Sequence, residues 1–159
     1  MTEIPSIAPN PAATASEWDA KRLAHERLHA ELQPGNKAAL FDALAAAGVT
    51  LVVVTFDGYG DSGQIENVEV KAGDTVVDMP GGEIEIATVV WDQAEPDRSM
   101  ASIRDVIEAF VYDLLGQTHD GWENSDGAYG DFTFDVAERT ITLDYNERYM
   151  ESDYSQHVF

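Results

Sequence analysis

The sequence contains no cysteine, which excludes disulfide bonds and thiolate metal sites. It also lacks an apolar run long enough for a membrane helix: residues 43–56 are interrupted by Gly48 and Thr50 and fall short of the ~18 residues that a span needs. The opening stretch MTEIPSIAPNPAATAS has neither the basic start nor the apolar centre of a signal peptide. Together these absences predict a cytoplasmic protein with no membrane span.

Basic residues are also scarce. The 159 residues include 9 Lys and Arg against 30 Asp and Glu, which gives a formal net charge of −21. The imbalance lies in residues 41–159, since residues 1–40 have five acids and four bases, and no Lys or Arg lies between Arg104 and Arg139. Such a field repels nucleic acid and anionic membranes, and it attracts basic protein surfaces or cations. High acidity is also typical of proteins in which charge serves only solubility or salt adaptation, and the sequence leaves both interpretations open.

Two helices are predicted before the first strand. Hydrophobic residues make up 44% of the chain, and a chain of this length hides roughly 68–70% of its unfolded surface, so a real core is expected. Ser16 can cap the first helix, which is expected to end before Pro34 and Gly35. The second helix is Ala-rich, begins at Asn36 and ends at Gly48, because glycine readily adopts the left-handed conformation of a helix terminus.

Apolar periodicity predicts the rest of the fold. The clearest helix is capped by Ser99 or Ser102 and ends at Gly116, with a regular apolar stripe from Ile103 to Leu115. Alternating and β-branched residues predict strands at 49–56, from 65 onward with a bulge near Asn67, at 83–91, and in a hairpin at 130–136 and 139–145. This order predicts the α+β class, with helices packed on one side of an antiparallel sheet. The chain is expected to form a mobile arm at 1–15, a single domain at 16–148 and a tail at 149–159.

Two similar loops concentrate acids and glycines beside predicted strands, DGYGD at 57–61 and DGAYGD at 126–131. If the loops lie together, they gather one acidic cluster: Asp57, Asp61, Glu66, Asp120, Glu123, Asp126 and Asp131. Carboxylates on tight turns can bind Ca²⁺ or Mg²⁺, and the candidate ligands are Asp57, Asp61, Asp126 and Asp131. Neither loop has the ligand spacing of an EF-hand, and Asp-Gly pairs are also ordinary turn chemistry, so a cation site and a plain turn both remain open.

Histidines provide two further candidates for chemistry. His25, Glu26 and His29 match H-E-x-x-H, in which two histidines hold Zn²⁺ and the glutamate activates water. The cationic surroundings of this helix and the lack of a third ligand at close spacing favour a solvated helix face instead. His119 lies beside Asp120 and could act in acid–base catalysis, although a histidine after a helix is more often a cap of the helix terminus.

The last predicted hairpin completes a candidate partner-binding surface. One of its faces is polar and acidic, with Asp131, Asp135 and Asp144 at alternate positions. Aromatic residues surrounded by acids suit protein recognition. Three such residues in or near the two loops can act either as half-buried anchors or as exposed contacts: Tyr59, Trp122 and Tyr129.

The segments FDGYGDSGQIE (residues 56–66) and QTHDGWENSDGAYGDFTFDVAERTITLDYNERY (residues 117–149) resemble a family of small acidic bacterial proteins of unknown function, commonly encoded on plasmids and integrated mobile elements. The likeness extends from the first strand to the tail. The resemblance implies no catalytic residue, substrate or cofactor. It implies a mobile-element context, in which acidic proteins that occupy the DNA-binding surfaces of host defence complexes recur.

The leading hypothesis is a non-enzymatic protein without a cofactor, whose acidic face binds a basic protein surface such as the nucleic-acid-binding site of a nuclease complex. Its concrete form is DNA mimicry against a restriction or CRISPR-type nuclease, with no direct contact to nucleic acid or membrane. The alternative is a divalent-cation-binding protein, or a metal-dependent hydrolase, that uses the Asp-Gly loops with Ca²⁺ or Mg²⁺. Dispersed carboxylates support the first hypothesis, and carboxylates that converge on one point support the second.

Overall fold

The computed structural model describes residues 11–59, 62–123, 127–149, 152 and 154–159. Its elements, in chain order, are α1 (Pro11–Ala46), β1 (Leu51–Tyr59), β2 (Ser62–Ala72), β3 (Thr75–Val77), β4 (Glu83–Thr88), β5 (Asp97–Ser102), α2 (Ile103–Thr118), β6 (Ala128–Asp135) and β7 (Thr140–Glu147). The predicted α+β class is therefore confirmed. No helix in the described part of the chain is long and apolar enough to cross a membrane.

The chain divides into two compact units. Unit 1 comprises the described residues as far as Ala39 together with Ile84–Ala101, and unit 2 comprises Leu40–Glu83 and Ser102–Phe159. Unit 1 therefore contains most of α1 and the two-stranded sheet of β4 and β5, and unit 2 contains the end of α1, the other five strands and α2. The single domain predicted for residues 16–148 and the tail predicted for 149–159 stay predictions.

One helix replaces the two that the sequence predicted at the start of the chain. Helix α1 runs for 36 residues and contains Pro34, so the predicted break before residue 36 is wrong. An internal proline removes one helical hydrogen bond and costs about 3 kcal/mol in isolation, but tertiary contacts hold α1 on both sides of it. Trp18 packs on Trp91 with ring centroids 4.8 Å apart, and Phe41 is fully buried.

The ends of α1 are explained by proline and glycine. The helix begins at Pro11 rather than at the predicted Ser16, because proline is well suited to the first helical position, where its missing N–H is not needed. Residues 11–15 of the predicted arm are therefore helical, and residues 1–10 lie outside the described chain. Helix α1 ends at Ala46, and Gly48 follows with a φ of 79°, as predicted for a residue after a helix terminus.

Unit 1 joins α1 to the two-stranded sheet of β4 and β5 mainly through specific side-chain contacts. Asn36 Nδ2 donates to Ala87 O at 2.8 Å, and Asn36 Oδ1 accepts from the Ala87 N–H at 2.9 Å. Asn36 therefore pairs with a strand and does not start a helix, which corrects its predicted role. The Trp91 ring contacts those of both Trp18 and His25, with the His25 centroid at 5.5 Å. Strand β5 was not predicted, because its sequence DRSMAS has no apolar alternation.

Unit 2 is built on a five-stranded antiparallel sheet with the order β3-β2-β1-β6-β7. The central strand β1 alternates buried and half-buried residues along its described length. The predicted bulge is confirmed on β2: Thr55 pairs with Asn67 but Phe56 pairs with Ile65, which leaves Glu66 as the extra residue. The predicted last hairpin is confirmed as β6 and β7, which pair over all eight residues of each strand without a register shift.

The core of unit 2 lies between one face of this sheet and the helices. Phe41 of α1 lies 6.3 Å from Phe134 of β6 between ring centroids, and the Tyr112 hydroxyl of α2 accepts a hydrogen bond from the Ile65 amide at 3.2 Å. The opposite face has no fully buried side chain among the described residues, so the helices cover one side of the sheet, as predicted. Helix α2 buries most of its predicted apolar stripe: Ile103, Val106, Ile107, Phe110, Val111 and Leu115.

Both ends of α2 follow from local hydrogen bonds. Ser102 Oγ accepts from the Asp105 N–H at 3.1 Å, which selects Ser102 from the two predicted caps. At the other end the helix passes the predicted stop at Gly116 and ends at Thr118. The Thr118 hydroxyl donates to Leu114 O at 2.7 Å, and the His119 N–H donates to Leu115 O at 2.8 Å, so both residues help to satisfy the last carbonyls of the helix.

Candidate functional site

The uncovered side of the five-stranded sheet, here called the outer face, carries the acids predicted on the last hairpin. The strand register sets four rows of side chains across β2, β1, β6 and β7. In order along the strands, the rows are Lys71, Leu51, Asp135 and Thr140; Glu69, Val53, Thr133 and Thr142; Asn67, Thr55, Asp131 and Asp144; and Gln64, Asp57, Tyr129 and Asn146. All of these side chains are half-buried or exposed, as required of a surface that can meet a partner.

Two aspartates lie directly opposite each other in the third row. Asp131 is the register partner of Asp144, and Asp131 Oδ1 also accepts a hydrogen bond from Thr55 Oγ1 at 3.1 Å. Like charges at directly opposite positions destabilise a sheet, so the stability of the hairpin does not account for this pair. Asp135 Oδ1 accepts from the Glu138 N–H at 3.1 Å and shapes the turn after β6.

Asp57 has a cationic partner that the sequence did not single out. Arg148 Nη1 donates to Asp57 Oδ1 at 2.6 Å and to Gly58 O at 3.2 Å, and the guanidinium lies 4.6 Å from the centroid of the Tyr129 ring. The hydrogen bond that Arg148 donates to Asp57 raises the pKa of Arg148 above its ordinary value. Asp57 is therefore locally neutralised, and Tyr129, 44% exposed, is held at the surface by a cation–π contact.

Each cation of unit 2 is paired with an acid of the same unit. The sequence of unit 2 has four Lys and Arg residues and 21 Asp and Glu residues, a net charge of −17, whereas residues 1–39 and 84–101, the sequence ranges of unit 1, have five and nine, a net charge of −4. The four pairs are Lys71 with Glu69, Arg104 with Glu108, Arg139 with Asp42, and Arg148 with Asp57. No basic side chain of unit 2 is left to balance its remaining acids, so its field is strongly negative.

The segment after α2 lies on the core side of the sheet and not on the outer face. The Trp122 ring meets Phe56 edge-on at 5.4 Å, and a Cβ on Gly58 would lie 2.7 Å from Trp122 Cζ3, while one on Gly63 would overlap the same indole. This packing favours the loop-anchor alternative for Trp122. Glu123 also lies against Gly63, so the structure does not bring the 119–123 segment and the last hairpin onto one acidic face.

His119 is held in one tautomer by its neighbour. The Thr118 hydroxyl has one hydrogen, which it donates to Leu114 O, so its oxygen accepts from His119 Nδ1–H at 3.0 Å. The imidazole stacks on Tyr145 with ring centroids 3.6 Å apart. The acid–base role considered for His119 stays a prediction.

Tyr145 of β7, whose ring stacks on the imidazole of His119, is half-buried. Burial raises the pKa of Tyr145 above its ordinary value of 10.0, and the nearby charges of Glu147 and Glu123 raise it further. Two further predicted acids are exposed: Asp120, and Glu66 on the bulge, which accepts a hydrogen bond from Gln64 Nε2 at 2.9 Å.

The predicted cation ligands are only partly described. Asp57 binds Arg148 and Asp131 accepts from Thr55, while Asp61 and Asp126 lie outside the described residues, as does the side chain of Tyr59. No group of three or more His, Asp or Glu residues in the described part of the chain is arranged to hold a metal ion. This includes His25 and His29, and the His25 ring is packed against Trp91. The cation-binding alternative therefore stays a prediction.

The fold and the surface define an acidic α+β protein whose antiparallel sheet is covered on one side by the helices of unit 2 and, among the described residues, has half-buried and exposed side chains on the other. The chain belongs to a family of unknown function, DUF6878, whose model matches residues 32–159. The matched region begins within α1 and contains every strand and α2. Searches of curated proteins and of solved structures find no match. The predicted membership of a family of unknown function is therefore confirmed. The association of that family with plasmids and mobile elements stays a prediction.

Proposed function

We propose that this chain is a non-enzymatic interaction protein whose unit 2 binds a basic protein surface. The observation that carries the proposal is the pairing of all four cations of unit 2, which leaves a net charge of −17 without a local counter-charge. An uncompensated field of this size steers a cationic partner and speeds its association. The same negative charge destabilises the compact state by self-repulsion. We therefore expect this charge to serve a function.

The outer face is the surface best suited to such a partner. It presents Asp131, Asp135 and Asp144 next to half-buried Leu51 and Val53, and it includes the exposed ring of Tyr129. Interfaces combine an apolar and aromatic centre with charged residues at the rim. The cross-strand pair of Asp131 and Asp144, which weakens the isolated sheet, would be stabilised by a lysine or arginine placed between the two carboxylates.

In its specific form, the proposal is DNA mimicry against a host defence nuclease of the restriction or CRISPR type. The protein would act in the cytoplasm and would be encoded on a plasmid or mobile element. This specific form is supported by the acidity and the resemblance of the 56–66 and 117–149 segments. B-DNA carries one negative charge per ~1.7 Å of axis, whereas Asp131 and Asp135, four residues apart on one strand, are about 13 Å apart. The outer face alone is sparser than DNA, so mimicry needs further acids from beyond it.

Competition with DNA tests this proposal. Binding of a labelled duplex to a panel of purified restriction and CRISPR-type nucleases is measured by fluorescence anisotropy, with the protein added at low and at physiological salt. The expected result is release of DNA from at least one nuclease, weaker at the higher salt because screening reduces charge attraction. Failure to release DNA from any nuclease contradicts mimicry, and failure to bind any of them at low salt contradicts a basic partner of this class.

Two triple variants with the same net charge distinguish binding by the outer face from binding that depends only on net charge. The triple variant Asp131→Asn, Asp135→Asn and Asp144→Asn keeps hydrogen-bond acceptors on the outer face, and Glu17→Gln, Glu31→Gln and Glu95→Gln changes three exposed acids of unit 1. We expect the first to weaken competition about tenfold or more, since a close charge pair at an interface is worth ~1.5 kcal/mol or more. Equal effects of the two triples would show that net charge, and not the outer face, is responsible.

A further inference from the structure

The two edges of the five-stranded sheet differ in length and protection. At one edge, β3 has three residues, and at the other, β7 has eight. Strand β7 pairs with β6 on one side, and no residue in the described part of the chain pairs with it on the other side. In an antiparallel sheet, every second residue of an edge strand directs its N–H and C=O outward. Strand β7 therefore offers a row of free backbone hydrogen-bonding groups.

Proteins usually protect such an edge with a short strand, a bulge, a proline or a lysine. The β3 edge is short, which is one of these devices. The β7 sequence TITLDYNE contains neither proline nor lysine, and its pairing with β6 has no register shift. In the described part of the chain, acidic side chains are therefore all that opposes the pairing of another strand with the β7 edge.

The side chains of β7 show what an added strand would have to contain. On the core side, Ile141 and Leu143 are half-buried, although their β6 partners Phe134 and Phe132 are almost fully buried. An apolar residue on a neighbouring strand would cover that margin of the core. On the outer face, Thr140, Thr142, Asp144 and Asn146 are exposed. A basic residue beside Asp144 would meet its carboxylate and, one strand further, that of Asp131.

We propose that β7 binds an extended segment of a basic partner protein, in which apolar and basic residues alternate, as a sixth strand of the sheet. The proposal rests on the proposed function and specifies its binding mode, β-strand addition, in which backbone hydrogen bonds give affinity and alternate side chains give specificity. Charge selects against a second copy of this chain at the same edge. Two copies of unit 2 would bring two surfaces of net charge −17 together.

A pair of peptides of equal composition tests the binding mode on the full chain. The probe is a fluorescein-labelled octapeptide of alternating lysine and valine, and its control is a lysine block followed by a valine block. We expect the alternating peptide to bind about tenfold more tightly, because only it can direct all its lysines to one face of an added strand. Hydrogen exchange should show new protection at alternate amides of β7 and none at β3.

Two matched variants locate the site. Thr142→Lys on β7 and Thr75→Lys on β3 make the same change at an exposed threonine on opposite edges of the sheet. We expect only Thr142→Lys to weaken binding of the alternating peptide, about tenfold, because it places a like charge beside the added lysines. If both peptides bind equally, in a salt-dependent way and without protection of β7, the edge proposal is overturned and the basic partner stands. If neither peptide binds at low salt, both proposals are overturned.

Discussion

Unit 2 contains every buried hydrophobic residue in the described part of the chain except Ala87, which belongs to unit 1. The two units differ just as much in charge, with −17 for unit 2 and −4 for unit 1. Unit 1 is held by the paired amide of Asn36 and by the rings of Trp18 and Trp91, which are 58% and 40% exposed.

This difference shows how the chain tolerates its acidity. Repulsion among uncompensated acids destabilises a compact unit, and burial of apolar surface opposes that cost with about 25 cal/mol per Å². The acids are concentrated on the unit whose sheet and helices bury whole phenylalanine and leucine side chains. Unit 1, with few buried groups, remains close to neutral and depends on individual contacts. We therefore expect substitutions in unit 2 to act on global stability, and those in unit 1 to act locally.

The largest expected effect is that of Gly130→Ala in unit 2. A Cβ on Gly130 would overlap the Asp144 carbonyl oxygen and lie 3.0 Å from Phe56 Cζ. Relief requires a shift of the β7 backbone in a well-packed part of the sheet, so the free energy of unfolding should fall by about 3 kcal/mol. Urea unfolding followed by circular dichroism measures this loss.

The matched substitution in unit 1 is Gly35→Ala. Nothing lies within 4 Å of a Cβ at Gly35, which is inside helix α1. Alanine is favoured over glycine in a helix by about 1 kcal/mol, so this variant should be neutral or slightly more stable. Equal destabilisation by the two glycine substitutions would contradict the difference in packing between the units.

Asn36→Ala should have the largest effect within unit 1. It leaves both the N–H and the C=O of Ala87 without their partner, and Ala87 is 6% exposed. Losing one partner of a buried hydrogen bond costs ~1–3 kcal/mol, so we expect about 2 kcal/mol of local destabilisation. Hydrogen exchange at the Ala87 amide should become faster, while the core amides of unit 2 keep their protection. A matching loss at the core amides would show that the units unfold as one.

A second substitution at the same position isolates the hydrogen bond to the carbonyl. Asn36→Asp keeps an acceptor for the Ala87 N–H, but at neutral pH it places a carboxylate oxygen against Ala87 O. A protonated carboxyl can donate to that oxygen. Ala87 protection in this variant should therefore recover at acidic pH, whereas that of Asn36→Ala should not.

The elements that the sequence predicted well are those whose pattern depends on near neighbours. The apolar stripe from Ile103 to Leu115 and the alternation across β6 and β7 reflect burial along one helix face and one sheet face. The same local signals failed at Pro34, because the contacts that keep α1 helical involve distant residues. Asn36 and Ala87 are 51 residues apart, and a rule about helix breakers contains no information about such a partner.

The surface was harder to predict than the core for the same reason. The outward acids of the hairpin were found because their alternation is local. The Arg148 contact to Asp57 joins residues 91 apart, so neutralisation of Asp57 could not be predicted from the composition of its loop. Trp122 likewise meets Gly58 and Gly63 only after folding. The sequence predicts turn or ligand chemistry for the glycines of the acidic loops, whereas Gly58 in the first loop and Gly63 just after it make room for an indole.

The smallest expected effect concerns the titration of Tyr145 in the acidic unit. Its pKa is raised above 10.0 by burial and by Glu147 and Glu123, so the folded protein binds this proton more tightly than the unfolded chain does. The resulting stabilisation is fully present below pH 10 and is lost as the pH rises through the folded-state pKa. Tyr145→Phe keeps the ring that stacks on His119 but removes the titrating group. In urea unfolding at a series of pH values above neutrality, the free energy of unfolding of the native chain should decline more steeply above pH 10 than that of the variant. Parallel curves would mean that folding does not raise the pKa of Tyr145, either by burial or by the nearby carboxylates.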